Sequence, residues 1–397
     1  MPSGTPVLAK EVDSNRLSFP KEKPEFNPTD LFDEPHKTVF LDPIKLARKP
    51  DVETFHPPKV QLRATHAKAV ELLHFLDQHH RLRIAPEHKV RKEYCCGAFA
   101  LVKDSAKDRL ILDARPPNIL EDTLTDWCST LASVQALAQQ ELLPGFNMYF
   151  NGTDLRDYYY CFRVTSKRSY RNSFNFPLTF QQAREFKCFD EKMAPPFASL
   201  FYPCLATLAM GDNQAVELGQ KSHVRLGLEA GAFHPHELIT AKGKAPRGPV
   251  SAGIIIDDLL ICEQRHAGEE LSEEGSEGGR RLGVMCEAYL RRGLSAHPAK
   301  TFRETSFAEC WGITANGVTG HVRANPKRLV PLLYVTAQVA KLGFATVALL
   351  EVLSGSWVSV LQVKHRMLSL LEHIYYAQVD REQTDIIRLS AALREEL

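Results

Sequence analysis

The chain has 397 residues, of which 44% are hydrophobic and 24% are charged, and its formal net charge is +1. This length predicts more than one packed unit, and the composition excludes general disorder and a fibrous repeat. The near-neutral charge gives no global sign of nucleic-acid binding, so such binding would depend on local clusters of basic residues.

The nine cysteines are scattered, without the short repeated spacing of a zinc site or of a secreted disulfide framework. The N-terminal sequence MPSGTPVLAKEVD has no apolar signal core, and no run of about 18 apolar residues occurs in the chain. We therefore expect an intracellular protein, in the nucleus or cytoplasm, that is not secreted and has no membrane partner.

Residues 1–58 are rich in proline and charge and show little periodicity, which is typical of an extended arm or linker rather than a packed unit. Beyond residue 60, Ala69, Leu72, Leu73 and Leu76 have the spacing of an amphipathic helix. The segment at 97–113, with apolar runs on both sides of KDSAKD, predicts a β-hairpin with a charged tip.

The segment RVTSKRSYR at 163–171 carries four basic residues and no acid. Two interpretations stay open, a phosphate-binding surface and an ordinary solvated face. The acidic, glycine-rich run at 265–281 predicts a surface loop, and the chain from about 326 has the character of a separate helical unit.

Two apolar runs that predict buried strands are interrupted by acids. They are MYFNGTDL at 148–155, with Asp154, and GIIIDDLLIC at 253–262, with Asp257 and Asp258. Buried carboxylates need compensation, and Mg²⁺ prefers oxygen ligands, so the three aspartates predict a magnesium site. The alternative for an isolated Asp-Asp pair is an ordinary turn.

The order of these segments over roughly residues 95–320 resembles the reverse transcriptase family. In the hairpin and the residues after it, VKDSAKDRLILDARPPN matches the family's lysine-rich tip and its R…D-x-R-x-x-N pattern, with Arg109, Asp113, Arg115 and Asn118. The resemblance implies that Arg109, with Lys103 or Lys107, holds the incoming triphosphate, and that Arg115 contacts nucleic acid.

The segment TDLRDYYYCFRV looks like the family's motif A. The resemblance implies that Asp154 is a metal ligand, that Leu155 lies at the nucleotide site, and that Tyr159 is the aromatic gate against a ribose 2′-hydroxyl. The alternative for Tyr159 is a strand with aromatic packing. LAMGDNQAVELGQ resembles motif B, with Gly211 close to the nucleotide, although Ala209 and Met210 replace the commoner residues.

The later segments GLSAHPAK and FAECWGITANGVTG resemble the elements that close the palm. They imply that Lys300 is a general acid for pyrophosphate and that Trp311 and Gly312 form the primer-grip hairpin. A surface lysine and a core tryptophan are the alternatives. Lys364 and Arg366 would contact the nucleic-acid backbone, or they are ordinary helix-surface charges.

The resemblance implies an α+β right-hand polymerase. Its expected parts are an arm at 1–58, fingers at 59–147, a palm at 148–320 with an inserted fingers segment at about 166–205, and a helical thumb-like region at 321–397. The expected activity is RNA-directed DNA synthesis from dNTPs on a primed RNA or DNA template with two Mg²⁺ ions, or Mn²⁺ in their place. The alternatives are a domesticated palm that binds nucleic acid without synthesis and an RNA polymerase of the same fold.

Overall fold

The computed structural model describes residues 9–48, 56–122, 124, 127–195, 197–269 and 275–397. Residues 1–8, 49–55 and 270–274, which belong to the predicted arm and acidic loop, lie outside the described residues. Among the described residues the strands are β1 (Leu82–Pro86), β2 (Gly97–Val102), β3 (Asp108–Asp113), β4 (Phe146–Asp154), β5 (Leu178–Thr179), β6 (Leu200–Leu205), β7 (Val250–Ile255), β8 (Asp258–His266), β9 (Phe302–Thr305), β10 (Phe307–Cys310), β11 (Ile313–Asn316), β12 (His321–Ala324), β13 (Phe344–Thr346) and β14 (Ile386–Arg388).

Helices lie between these strands along the chain, and the strands pair antiparallel within their sheets, so the fold is α+β. The α-helices are α1 (His36–Leu41), α2 (His66–Gln78), α3 (Arg115–Ile119), α4 (Trp127–Thr130), α5 (Val134–Ala138), α6 (Ser166–Arg171), α7 (Phe180–Ala183), α8 (Asn213–Glu229), α9 (Glu277–Arg291), α10 (Pro326–Leu342), α11 (Val347–Leu361), α12 (Glu372–Tyr376) and α13 (Ala391–Glu396).

The central sheet is antiparallel and has the strand order β7-β8-β4-β9. Side chains alternate between its two faces. Leu259 and Ile261 of β8 pack in the core that includes α8 and α9, whereas Leu260 and Cys262 pack against the β10-β11-β12 sheet. Because both faces are covered, β8 reads in the sequence as an almost continuous apolar run.

A second lobe contains the β2-β3 hairpin and the β1-β6-β5 sheet. The predicted hairpin is confirmed, and α2 buries the predicted apolar stripe with Leu72, Leu73 and Leu76 in the core of this lobe. Strand β6 of the 166–205 segment pairs with β1 on one side and with β5 on the other, although about a hundred residues separate β1 from β6 in the sequence. The domain boundaries stay predictions.

The arm, defined here as residues 9–48, is not a loose linker. Phe26 is fully buried, with its ring centroid 4.8 Å from that of Phe162, and Phe19 stacks on Tyr160 at 4.0 Å. Phe26 belongs to the core of the central sheet and Phe19 to that of the second lobe. The expectation of an unpacked arm is therefore wrong for these residues, because their partners lie too far along the chain to leave a local periodic signal.

The basic segment at 163–171 is not a single surface: Arg163 and Lys167 are exposed, whereas its other two basic residues are buried. Arg168 and Arg171 are fully buried in α6 and make ion pairs with Asp212 and Glu121. Burying these charges is tolerated because each guanidinium has a carboxylate partner. The segment therefore fixes Asp212, whose side chain caps the N-terminus of α8.

The C-terminal unit has its own core of α10–α13 and the β13-β14 sheet. The helical character predicted from about residue 326 is present, but the helix is interrupted at 362–371. Lys364 has non-helical backbone angles, residues Gln362–Leu371 form 3₁₀ turns, and Met367 and Leu370 are exposed.

Among the described residues one helical run, Val347–Tyr376, is long and apolar enough to cross a membrane by length and composition alone. A core helix passes the same test, and a third of the run's most apolar window is buried in this structure. The break at Lys364 also leaves α11 with 15 residues, about 22 Å at 1.5 Å per residue, against a hydrocarbon core of about 30 Å. The run is weak evidence for a membrane span.

Candidate functional site

The end of β4 and the β7-β8 turn bring Asp154, Asp257 and Asp258 together. Asp154 lies opposite Asp258 in the antiparallel register, and the backbone N–H of Leu155 donates to the Asp257 carbonyl at 2.9 Å. Asp154 is buried, while Asp257 and Asp258 are half-buried. The antiparallel pairing of β4 with β8 thus joins residues that are far apart in the sequence.

The electrostatics of this cluster are unfavourable for three bare charges. Burial, followed by repulsion from Asp154 and Asp258, raises the pKa of Asp257 to about 7. Burial and Asp154 likewise raise the pKa of Asp258 to about 6. A nearby cation would stabilise the charged forms of these carboxylates.

Lys300 supplies one such cation. Its ammonium group, on a 3₁₀ turn just before β9, makes an ion pair with the Asp154 carboxylate. Burial lowers the pKa of Lys300, but the hydrogen bond and charge of Asp154 outweigh it, so the pKa lies above its ordinary value. The sequence-predicted lysine therefore lies at the carboxylate cluster.

The chemistry of this donor set fits Mg²⁺, because all three side chains offer hard oxygen donors in a region with excess negative charge. The geometry is less complete. Within the part of the chain that the structure describes, no three His, Cys, Asp or Glu side chains are arranged together to hold a metal ion. The side chains of Asp154, Asp257 and Asp258 thus have the chemistry of magnesium ligands without the arrangement of a complete site. Lys300 would compete with a metal ion for the Asp154 carboxylate.

Two residues of α8, Gln220 and His223, hold the turn that carries Asp257. This clamp was not predicted from the sequence. Ile256 has φ of +57°, a strained value for a β-branched residue. Gln220 accepts a hydrogen bond from the Ile256 N–H at 2.7 Å, and His223 Nδ1 donates to its carbonyl at 2.8 Å. His223 Nε2 in turn accepts from the Tyr289 hydroxyl at 2.6 Å.

Burial keeps His223 neutral. Its side chain is fully buried, and burial lowers the pKa of His223 to about 4, against the weaker opposing effect of its bond to Ile256. Polar residues that interrupt the buried face of α8 are the only signal in the sequence, and it does not identify their partner.

Tyr159 lies between the carboxylates and α8. It is half-buried in a 3₁₀ turn, Tyr158–Cys161, so the strand in the alternative reading is wrong, while the aromatic packing is present, with the ring stacked on that of Tyr158 at 6.1 Å. A Cβ at Gly219 would lie 3.1 Å from the Tyr159 ring, which shows how closely the helix approaches. Burial, with a contribution from Asp257, raises the pKa of Tyr159, so the phenol stays neutral.

Gly211 joins a second group of predicted residues. Its φ is +103°, and a Cβ there would lie 2.0 Å from the Leu112 carbonyl oxygen, so the position requires glycine. Asn118 donates to the Gly211 carbonyl at 2.9 Å. Together with Arg115, which pairs with Asp113, these residues line a cavity of about 690 Å³. The helix predicted after Gly211 begins at Asn213.

The three basic residues assigned to the triphosphate differ in their surroundings. Lys103 donates to Asp157 at 3.1 Å and to Ser18 of the arm at 3.0 Å, so a partner already occupies it. Arg109 and Lys107 are exposed. Among the described residues the Arg109 side chain has no hydrogen-bond or ion-pair partner, which leaves its guanidinium available.

Trp311 and Gly312 lie across from the carboxylates. They form the turn between β10 and β11 with φ of +48° and +81°, and they line a cavity of about 360 Å³ with Asp154, Asp258 and Lys300. The Trp311 ring also packs against Gly253 of β7. Trp311 therefore both packs in the core and lines the cavity. Arg328 of α10, not singled out in the sequence, borders the same cavity.

Lys364 and Arg366 are not brought to this site. Both are exposed on the 3₁₀ segment of the C-terminal unit, and neither lines the cavity that contains Asp154 and Asp258.

Neither the known protein-family models nor the curated proteins gave a match to this sequence. The structure is similar to that of the foamy viral protease-reverse transcriptase dRH solved in complex with double-stranded DNA, with a TM-score of 0.53 and 12% sequence identity. The chain has a reverse-transcriptase-like fold. The match covers 95% of this chain and 61% of that one, so the chain spans less than two thirds of that protein's length. At this identity the similarity shows the fold alone.

Proposed function

We propose that the reverse-transcriptase-like protein is an RNA-directed DNA polymerase. The observation that carries the proposal is the meeting of Asp154, Asp257 and Asp258 at the end of β4 and the β7-β8 turn, beside the Lys300 ammonium. The central sheet would be the palm, the second lobe the fingers and the C-terminal unit a thumb. The match to a reverse transcriptase solved with double-stranded DNA supports nucleic acid as a partner.

In this proposal the three carboxylates hold two divalent ions, Mg²⁺ or Mn²⁺. Such ions supply activation of a hydroxyl nucleophile and stabilise charge on phosphate oxygens. Asp154 and Asp257 are the main ligands, because they lie at the end of one strand and in the turn between two others. Asp258 contributes as an adjunct.

The remaining residues position the nucleotide and the strands. Arg109 binds the triphosphate through its free guanidinium, with Lys103 or Lys107, and Tyr159 excludes a ribose 2′-hydroxyl. Leu155 and Gly211 border the nucleotide, Arg115 faces the template, and Trp311 and Gly312 hold the primer end. Lys300 leaves Asp154 and donates a proton to the departing pyrophosphate, while Lys364 and Arg366 contact the duplex backbone.

Primer extension on an RNA template with dNTPs and Mg²⁺ tests the enzyme. We expect extension that is lost in EDTA. If the protein binds primer-template but gives no extension with either Mg²⁺ or Mn²⁺, the polymerase proposal fails. Preference for NTPs over dNTPs in the same assay would instead indicate an RNA polymerase.

A second candidate is a palm that binds nucleic acid without synthesis. The observation that favours it is the ion pair between Lys300 and Asp154, together with the incomplete convergence of three acidic ligands in the described residues. Binding of primer-template that is unaffected by EDTA, with no extension under any ion condition, would support this candidate.

A further inference from the structure

A cavity of about 560 Å³ lies between the arm, the tip of the β2-β3 hairpin and the end of α9. Its volume is within the usual range for small-molecule sites, about 300–1,000 Å³. None of Asp154, Asp257, Asp258, Tyr159 or Arg109 lines it. This arm cavity is therefore distinct from the carboxylate site, although Lys107, one of the two hairpin lysines proposed for the triphosphate, lies on its wall.

One wall of the arm cavity is Arg81, whose side chain is 1% exposed. Its guanidinium donates to the backbone carbonyls of Tyr160, at 3.1 Å, and His79. No carboxylate among the described residues lies at ion-pair distance from it. Arg168 and Arg171 are buried as deeply, yet both have carboxylate partners.

An arginine stays protonated even when it is buried. The charge of Arg81 therefore persists, and it lacks the carboxylate partner that Arg168 and Arg171 have. Burial lowers the pKa of Arg81, as it does that of the paired Arg168, and the Glu22 and Asp157 carboxylates, which lie beyond ion-pair distance, offset this only in part. An anion in the arm cavity would provide the missing charge.

The other charged groups on the walls also favour an anion. Lys21 and Lys23 of the arm, Lys107 of the hairpin tip and Arg156 add four cationic side chains, against the carboxylates of Glu22 and Glu25. Arg156 is 3.7 Å from Asp157, while Lys21 and Lys23 have no carboxylate at ion-pair distance in the described part of the chain. Several cations around one cavity suit a ligand with several negative charges.

We infer that the arm cavity binds an oligophosphate, either free pyrophosphate or the phosphate chain of a nucleotide, through Arg81, Lys21 and Lys23. This inference rests on the cavity and its charges and does not require polymerase activity.

The test is isothermal titration calorimetry of the full chain with inorganic pyrophosphate, in EDTA so that metal-dependent binding at the aspartates is removed. Lys21→Gln/Lys23→Gln should weaken binding at least about fivefold, since two phosphate-facing charges are lost. The matched control is Lys37→Gln/Lys45→Gln, which removes two exposed arm lysines that do not line the cavity. It should leave the Kd within about twofold.

A further variant guards against a nonspecific charge effect. Glu22→Gln removes a wall carboxylate and should tighten binding. Competition with dATP separates the two ligand sources, because displacement indicates a nucleotide phosphate chain and no displacement indicates free pyrophosphate. The inference is overturned if pyrophosphate does not bind, or if both double variants bind equally.

Discussion

Asp257 occupies the turn between β7 and β8, where burial and neighbouring carboxylates make its charge unfavourable. Asp257→Asn keeps the shape of the side chain but removes the charge that a metal ion needs. We predict that primer extension falls by at least about 10²-fold while primer-template binding is retained.

Asp122→Asn is the matched control, because Asp122 is an exposed carboxylate that makes a surface ion pair with Arg48. It should extend primers at the wild-type rate. In EDTA, Asp257→Asn should also raise the melting temperature, because it removes one charge from the cluster. Full extension by Asp257→Asn would refute the metal assignment.

Tyr159 sets the sugar specificity in the proposed site, because its half-buried ring lies between the carboxylates and α8. Tyr159→Ala should increase the use of ribonucleotides, lowering the ratio of kcat/KM for dNTPs over NTPs by about tenfold or more. Tyr159→Phe keeps the ring and should keep the ratio. An unchanged ratio in Tyr159→Ala would exclude this role.

At the scale of elements, α8 links the turn of Ile256 and Asp257 to the core through His223, and this makes stability depend on pH. The folded-state pKa of His223 is about 4, below its ordinary value of about 6.5. Between pH 6.5 and pH 4, His223 binds a proton in the unfolded chain but not in the folded chain. The stabilising effect is therefore complete above pH 6.5 and is lost as the pH falls toward 4, by up to about 3 kcal/mol.

Urea unfolding of the wild type and His223→Gln at several pH values checks this. Asp257 and Asp258 titrate over the same range in the opposite sense, so the difference between the two proteins is the useful quantity. We expect the difference in unfolding free energy to change in favour of His223→Gln by up to about 3 kcal/mol as the pH falls from 7 to 4. Parallel curves would show that His223 is not the titrating group.

The elements that were predictable from the sequence have local signals. The apolar stripe of α2, the hairpin around KDSAKD and the acid-interrupted runs of β4, β7 and β8 depend on periodicity within each segment. Arg168 and Arg171 were misread because a run of basic residues looks the same whether its partners are water or a buried Asp212. The clamp by Gln220 and His223 was not predicted for a similar reason, because a polar residue in a helix does not show in the sequence which distant backbone group it binds.

The order of the motifs along the chain predicted which aspartates lie close together, but not whether their carboxylates are arranged to bind a metal ion. That Asp154 lies opposite Asp258 follows from strand pairing, whereas the position of Lys300 on Asp154 depends on side-chain packing at the end of the sheet. Register can be inferred from apolar alternation, while individual ion pairs cannot.

At the scale of the whole molecule, the arm ties the central sheet to the second lobe, and Phe26 is its most deeply buried contact. Phe26→Ala should lower the free energy of unfolding by about 3–5 kcal/mol, because it leaves a cavity beside Phe162. Phe197→Ala, at a side chain that is 75% exposed, should change it by less than about 0.5 kcal/mol. Chemical denaturation of both variants measures the difference, and equal values would mean that the arm is not part of the cooperative fold.

The arm also has a consequence for how the chain reaches its native state. Asp30 pairs with Arg292, 262 positions later, and Phe26 packs on Phe162. During translation these aromatic residues leave the ribosome well before the surfaces that bury them exist. Contacts of such long sequence separation form slowly. The arm, which is synthesised before the surfaces that bury it, is therefore among the last segments to dock, and until then its phenylalanines are accessible to chaperones and to self-association.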